Sequence, residues 1–84
     1  MKDNYKEILE YILKFIVESP KEIEITENVT GTLIDLNVKA NKADYGTIIG
    51  KGGQMIQNIR KILTVKAVKD GVKINIRIDD EKEE

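Results

Sequence analysis

The chain contains, near its middle, the stretch Ile48-Ile49-Gly50-Lys51-Gly52-Gly53-Gln54-Met55-Ile56. Apolar residues at helical spacing lie on both sides of this stretch, but its centre holds three glycines and one lysine. Because glycine weakens a helix interior, the centre is expected to interrupt the helical pattern. The stretch therefore predicts a short helix over Tyr45–Ile49 and a second helix over about residues 53–68, joined by a glycine-rich corner. Asp44 is suited to be the N-cap of the short helix.

Before this corner, the sequence predicts one helix and a hairpin. Apolar residues recur at helical spacing over residues 3–18, where Asp3 or Asn4 can cap the start and Ser19-Pro20 ends the helix. This stripe consists of Tyr5, Ile8, Leu9, Ile12, Leu13 and Ile16. Alternating patterns over residues 22–26 and 32–40 predict two antiparallel strands, with the turn over residues 28–31.

After the corner, the turn at Asp70-Gly71 leads into alternating residues 72–79, which predict a third strand. The element order is therefore α-β-β-α-α-β. The strands have one apolar face and one polar face, so an α+β fold is expected in which a three-stranded sheet carries its helices on one face. We expect a single domain over residues 1–79 and a charged C-terminal tail over residues 80–84.

The glycine-rich corner has the chemistry of an anion-binding site. The N-terminus of a helix presents unpaired N–H groups and a partial positive charge, and glycines allow a phosphate to approach them closely. Lys51 adds a formal positive charge. The alternative is that the glycines only relieve crowding between two helices. Neither the G-x-x-x-x-G-K-[ST] pattern nor the G-x-G-x-x-G pattern occurs here.

The run Ile49-Gly50-Lys51-Gly52-Gly53-Gln54-Met55-Ile56 resembles the I-G-x-x-G-x-x-I signature of the KH domain, and the predicted element order resembles the type II form of that fold. A single free-standing domain of this length is similar to the small bacterial RNA-binding proteins of the KhpA family. The resemblance implies a groove for about four nucleotides of single-stranded RNA, clamped by the GXXG loop. The residues that it assigns to RNA binding are Ile49, Gly50, Lys51, Gly52, Gly53, Gln54 and Arg60.

The resemblance also implies a cellular role and partners: an RNA chaperone or post-transcriptional regulator that forms a homodimer or pairs with a second KH-containing protein. The strand over residues 32–40 is expected to form the other wall of the groove. Tyr45 is expected to be a packing residue at a helix start and not a platform for base stacking.

Composition argues against catalysis. The chain has no cysteine and no histidine, which removes thiolate metal sites and the commonest general base at neutral pH. We expect no enzyme activity, no cofactor and no metal. The longest apolar runs are short, so a cytoplasmic protein without a membrane span is expected.

Charge is distributed unevenly along the chain. Residues 1–38 contain four lysines against eight acids (net −4), residues 39–69 contain seven basic residues against one acid (net +6), and residues 70–84 contain three against six (net −3). The basic middle section favours a surface that binds anions.

Two other functions remain open from the sequence. Residues 44–66 could form a helix-turn-helix that places its second helix in a DNA major groove. The chain could also be an interaction or dimerisation domain that binds no nucleic acid.

Overall fold

The structure, a computed structural model, describes residues 5–79. Its helices and strands are α1 (Tyr5–Ile16), β1 (Glu24–Thr30), β2 (Leu33–Lys39), α2 (Tyr45–Ile49), α3 (Gln54–Asp70) and β3 (Lys73–Ile78). Single 3-10 turns lie at Pro20–Glu22, Lys42–Asp44 and Lys51–Gly53. The predicted order is confirmed, whereas the proposed cap at Asp3 or Asn4 and the tail over residues 80–84 lie outside the described residues. No helix in the described part of the chain is long and apolar enough to cross a membrane.

The three strands form one mixed sheet in the order β1-β2-β3. β1 and β2 are antiparallel, and Glu24 is paired with Lys39. β2 and β3 are parallel, and Leu33 is paired with Lys73. A parallel pair needs a crossover connection, which here consists of α2, the glycine corner and α3. Along the chain, the corner therefore lies in the crossover connection from β2 to β3.

A single hydrophobic core lies between the helices and one face of the sheet. Its buried members alternate along the strands and recur every three or four residues along the helices, as predicted. They are Tyr5, Leu9, Leu13, Ile23, Ile25, Ile34, Leu36, Val38, Ile48, Ile56, Ile59, Leu63, Ala67 and Ile76. The opposite sheet face is largely polar, and there Asn75 Nδ2 donates to Asp35 Oδ1 over 2.9 Å. The helices therefore cover one face of the sheet, as the alternation indicates.

The hairpin differs from its prediction. β1 continues through Thr30, so residues 28–30, which we expected in a turn, belong to the strand. The connection to β2 is only two residues long, and Gly31 has a φ of 61° there. Two-residue hairpin connections require positive φ at their first position, which glycine adopts without strain. The full pairing of β1 with β2 therefore uses Asn28 and Thr30 as strand residues.

Asp44 also differs from its prediction. Its side chain makes no capping hydrogen bond to α2. A 3-10 turn precedes the helix, and in that turn the side chain of Asn41 accepts from the amide of Ala43. Because the chain is already helical at Asp44, its carboxylate does not adopt the position of an N-cap. It instead contacts the segment that follows α1, as described below.

Candidate nucleic-acid interface

The glycine corner begins where α2 ends. The amide of Gly50 donates to the carbonyl of Gly46 over 2.8 Å and closes the last turn of α2. The next turn is closed by the amide of Gly53, which donates to Gly50 over 3.0 Å. All three glycines have positive φ, at 80° for Gly50, 62° for Gly52 and 76° for Gly53. The sequence of the corner is therefore matched to a backbone that other residues adopt with strain.

Gly50 fills a different role from the other two glycines. A Cβ atom at Gly50 would lie 2.6 Å from the Cβ of Met55 and 2.7 Å from its backbone nitrogen. Such distances are well inside van der Waals contact, so the first turn of α3 can approach the end of α2 only because residue 50 has no side chain. The alternative interpretation of the corner, that glycine relieves crowding, holds at this position.

Gly52 and Gly53 are not crowded. Beyond the adjacent residues, no atom lies within 4 Å of the position that a Cβ would take at either residue. No side chain caps the 3-10 turn Lys51–Gly53. No side chain caps the N-terminus of α3. The corner therefore presents open backbone, without a side-chain cap, beside the exposed side chain of Lys51.

The residues flanking the glycines lie on two sides of the corner. Ile49 is partly buried and packs against the core, as does Met55. Gln54 is exposed and is the first residue of α3. The structure thus brings together six of the seven residues assigned from the sequence: Ile49, Gly50, Lys51, Gly52, Gly53 and Gln54.

Arg60, the seventh, lies about 10 Å further along α3, two turns after Gly53. Its Nη2 donates to the carbonyl of Ile76 over 2.9 Å, which joins α3 to β3. A guanidinium has five N–H donors, so this bond leaves others available. α3 packs against β3, the strand that follows it in the chain. That the strand over residues 32–40 forms the other wall of the groove stays a prediction.

Two further residues, Asp44 and Tyr45, join the start of α2 to other segments by hydrogen bonds. Asp44 is buried and accepts from the amides of Glu18 and Ser19. The hydroxyl of Tyr45 accepts from the amide of Ala40 and donates to the carbonyl of Asp79. The predicted packing role of Tyr45 agrees with these contacts. Nothing in the sequence links Asp44 to residues 25 and 26 positions earlier, because that link exists only in the folded chain.

Charge follows the same division as the structure. The basic section, residues 39–69, begins at the end of β2 and includes α2, the corner and nearly all of α3. The acidic N-terminal section includes α1 and β1. The glycine corner thus lies within the part of the fold where a negatively charged ligand meets the least repulsion.

Comparison with known proteins agrees with this geometry. A family model described as the KH domain of KhpA/KhpB matches residues 6–78. The RNA-binding protein KhpA of Chlamydia pneumoniae is 41% identical over 78 residues, and that of Chlamydia trachomatis is 38% identical over 77 residues. Each match covers 92% of this chain and 99% of the relative. KhpA of Clostridium perfringens is 32% identical over 73 residues, which cover 87% of this chain and 97% of that protein.

The family match spans almost the whole described chain, including the glycine corner and all three strands. The α+β architecture and the order of its elements are those expected of a type II KH domain. The chain belongs to the KhpA/KhpB family of KH domains.

Proposed function

We propose that this chain binds single-stranded RNA and holds about four nucleotides along the glycine corner. Its biological role would be that of an RNA chaperone or post-transcriptional regulator in the bacterial cytoplasm, where cellular RNA is made and used. The names of the relatives support a binding role over a catalytic one, since they are called RNA-binding proteins.

The observation that carries this proposal is the open backbone at Gly52 and Gly53. Phosphate oxygens need N–H donors at short distance, and a side chain at either position would hold the phosphate away. No side chain caps the amides at the start of the 3-10 turn Lys51–Gly53 or at the start of α3, and Lys51 supplies a cation beside them. The corner thus has donors, access and charge for a phosphodiester.

The bases of a bound strand would lie beyond the corner, towards α3 and β3. Ile49 and Met55 offer partly buried aliphatic surface next to the glycines. Arg60 holds the carbonyl of Ile76 with one of its donors and has further donors for a base edge or a phosphate. We assign Gln54, at the exposed start of α3, to the same strand of RNA.

A single groove of this size reads few nucleotides, so we also propose that the domain works in pairs, either with a second copy or with another KH-containing protein. The outer face of α3 supports this, because Ile62, Val65 and Val68 are more than half exposed at a spacing of three residues. Exposed apolar ridges of this kind are typical of protein interfaces. Val65→Lys should reduce the mass measured by sedimentation, whereas Thr64→Lys on the same helix should not.

The test of RNA binding is a competition at low salt between an unstructured RNA, its perfect duplex and duplex DNA of equal length. A single strand can lie along the corner with its bases free to turn towards α3, whereas the bases of a duplex are already paired. We expect the single strand to compete best. Preference for duplex DNA would favour the helix-turn-helix interpretation, and a lack of competition by all three would make the chain an interaction domain.

A further inference from the structure

We propose that Asp44 and Tyr45 are positioning residues for the glycine corner, and that their side chains set the affinity for RNA without contacting it. This inference rests on the proposed function. α2 is only five residues long. A helix this short has little stability of its own, so contacts outside it must determine where its C-terminal end, and hence Gly50, lies.

Asp44 connects the start of α2 to the end of α1. Its side chain is 1% exposed, and it is the one buried charged residue in the described part of the chain. One carboxylate oxygen accepts from the amide of Glu18 over 3.0 Å, and the other accepts from the amide of Ser19 over 3.1 Å. α1 ends at Ile16, so these two amides belong to the connection that leaves it. Both oxygens are therefore used to hold one segment.

Tyr45 connects the next position of α2 to the sheet. Its hydroxyl accepts from the amide of Ala40, just after β2, over 3.1 Å. The same hydroxyl donates to the carbonyl of Asp79, just after β3, over 2.5 Å. Two consecutive residues thus link the start of α2 to the ends of α1, β2 and β3.

The corner depends on this arrangement because its two ends are held by different parts of the fold. Its far end continues into α3, whose first turns are anchored by Ile56 and Ile59 in the core. Its near end follows α2, which has one fully buried side chain, Ile48. Because Gly50 lies so close to Met55, the end of α2 cannot move towards the start of α3 without a steric clash. A shift of α2 therefore changes the backbone of the corner itself.

A binding loop that is already ordered loses less conformational entropy when the ligand binds. The hydrogen bonds of Asp44 and Tyr45 should consequently increase the affinity for RNA as well as the stability of the fold. Loss of one of these hydrogen bonds would then have to be compensated when the corner becomes ordered on binding. We expect the affinity for RNA to fall by about three- to tenfold.

The test uses Tyr45→Phe and Asp44→Asn in the full chain. Tyr45→Phe removes the hydroxyl. Asp44→Asn places an amide NH2 against the backbone N–H of either Glu18 or Ser19, so that one of the two hydrogen bonds is lost. Tyr5→Phe is the matched control, because the Tyr5 hydroxyl donates to Asp70 at the opposite end of α3, about 25 Å from the corner along a helix of this length. Two quantities are measured where all variants are folded. One is hydrogen exchange, without RNA, of the amides of Gly53 and Gln54, which donate to the carbonyls of Gly50 and Lys51, and the other is affinity for a short unstructured RNA.

We expect faster exchange at the corner and weaker RNA binding in both variants, and neither change in Tyr5→Phe. Wild-type affinity in Tyr45→Phe and Asp44→Asn would overturn the proposal, as would equal losses in Tyr5→Phe. If the wild-type chain binds no RNA, the proposed function fails. The exchange measurement then still decides whether the two residues order the corner, since unchanged exchange would overturn that role by itself.

Discussion

At the scale of single residues, the corner separates into one glycine that the fold requires and two that leave space for a ligand. Gly50 is required because the backbone of Met55 occupies the space of its missing side chain, whereas nothing occupies that space at Gly52 or Gly53. The two kinds of glycine should respond differently to substitution, which allows folding and binding to be tested separately.

Binding should be sensitive to charge at residues 51 and 52. Replacing Lys51 and Gly52 together by aspartate places two negative charges beside the path of the phosphates, so RNA binding should be lost. The positive φ of Gly52 adds a stability cost of about 1–2 kcal/mol. Binding is measured by fluorescence anisotropy and folding by circular dichroism.

The matched control for that double variant replaces both residues by asparagine, which has nearly the same shape as aspartate but no charge. The asparagine variant should lose the attraction between Lys51 and the phosphates and keep part of the affinity for RNA. RNA binding by the folded aspartate variant at the wild-type level would refute the clamp.

Stability should be sensitive to Gly50. Gly50→Ala combines a contact of 2.6 Å with a φ of 80°, and we expect the free energy of unfolding to fall by about 2–4 kcal/mol. Gly46→Ala is the control, since this helical glycine is uncrowded and alanine is the better helix former. Urea denaturation of both variants measures the difference. Equal stability of the two would show that the corner rearranges easily.

At the scale of elements, we expect the bases of bound RNA to be recognised where α3 packs against β3. Arg60→Ala removes the bond to Ile76, which should cost about 1 kcal/mol of stability. We expect it to alter the preference among short RNAs of different sequence as well as to weaken binding. The measurement is an affinity comparison over homopolymer RNAs.

Arg60→Lys is the informative companion variant, because lysine keeps the charge but lacks the planar fork of donors. It should retain affinity and lose base preference. If Arg60→Ala weakens every sequence by the same factor, Arg60 contacts phosphate only.

The elements themselves were predictable because the apolar spacing of helices and strands differs so clearly. The order of six elements and the covered face of the sheet follow from that spacing. The same spacing also predicts Ile62 in the buried stripe of α3, and this is wrong, because Ile62 is 59% exposed. The seven residues assigned to the site came from the resemblance of the corner to a known signature. The hairpin turn was misplaced because Asn28 and Thr30 are typical of turns, while their place in β1 is determined by pairing with β2.

The contacts of Asp44 were not predictable for a related reason. A carboxylate before a helix has the same appearance in sequence whether it caps that helix or reaches another segment. Only the packing of α1 beside the start of α2 brings the amides of Glu18 and Ser19 to it.

At the scale of the whole molecule, we expect charge separation to limit how much RNA the domain contacts. The basic section has a net charge of +6, and acidic sections lie on either side of it along the chain. Contact with three or four phosphates of a single strand predicts a slope of roughly −2 to −3 when the logarithm of the binding constant is plotted against that of salt concentration. Titrations at several salt concentrations measure it. A much steeper slope would mean that RNA contacts far more of the surface than the corner.

The parallel pairing of β2 with β3 also has a consequence for how the chain folds. Six of the seven residues of β2 pair with a partner 40 positions later, from Leu33 with Lys73 to Val38 with Ile78. Contacts between distant residues form slowly, because a long loop must close before they contribute. During synthesis, α1 and the hairpin emerge first and can associate, but α3 lacks its contacts with β3 until that strand has been made. The packing around the glycine corner is therefore completed only when β3 joins the sheet.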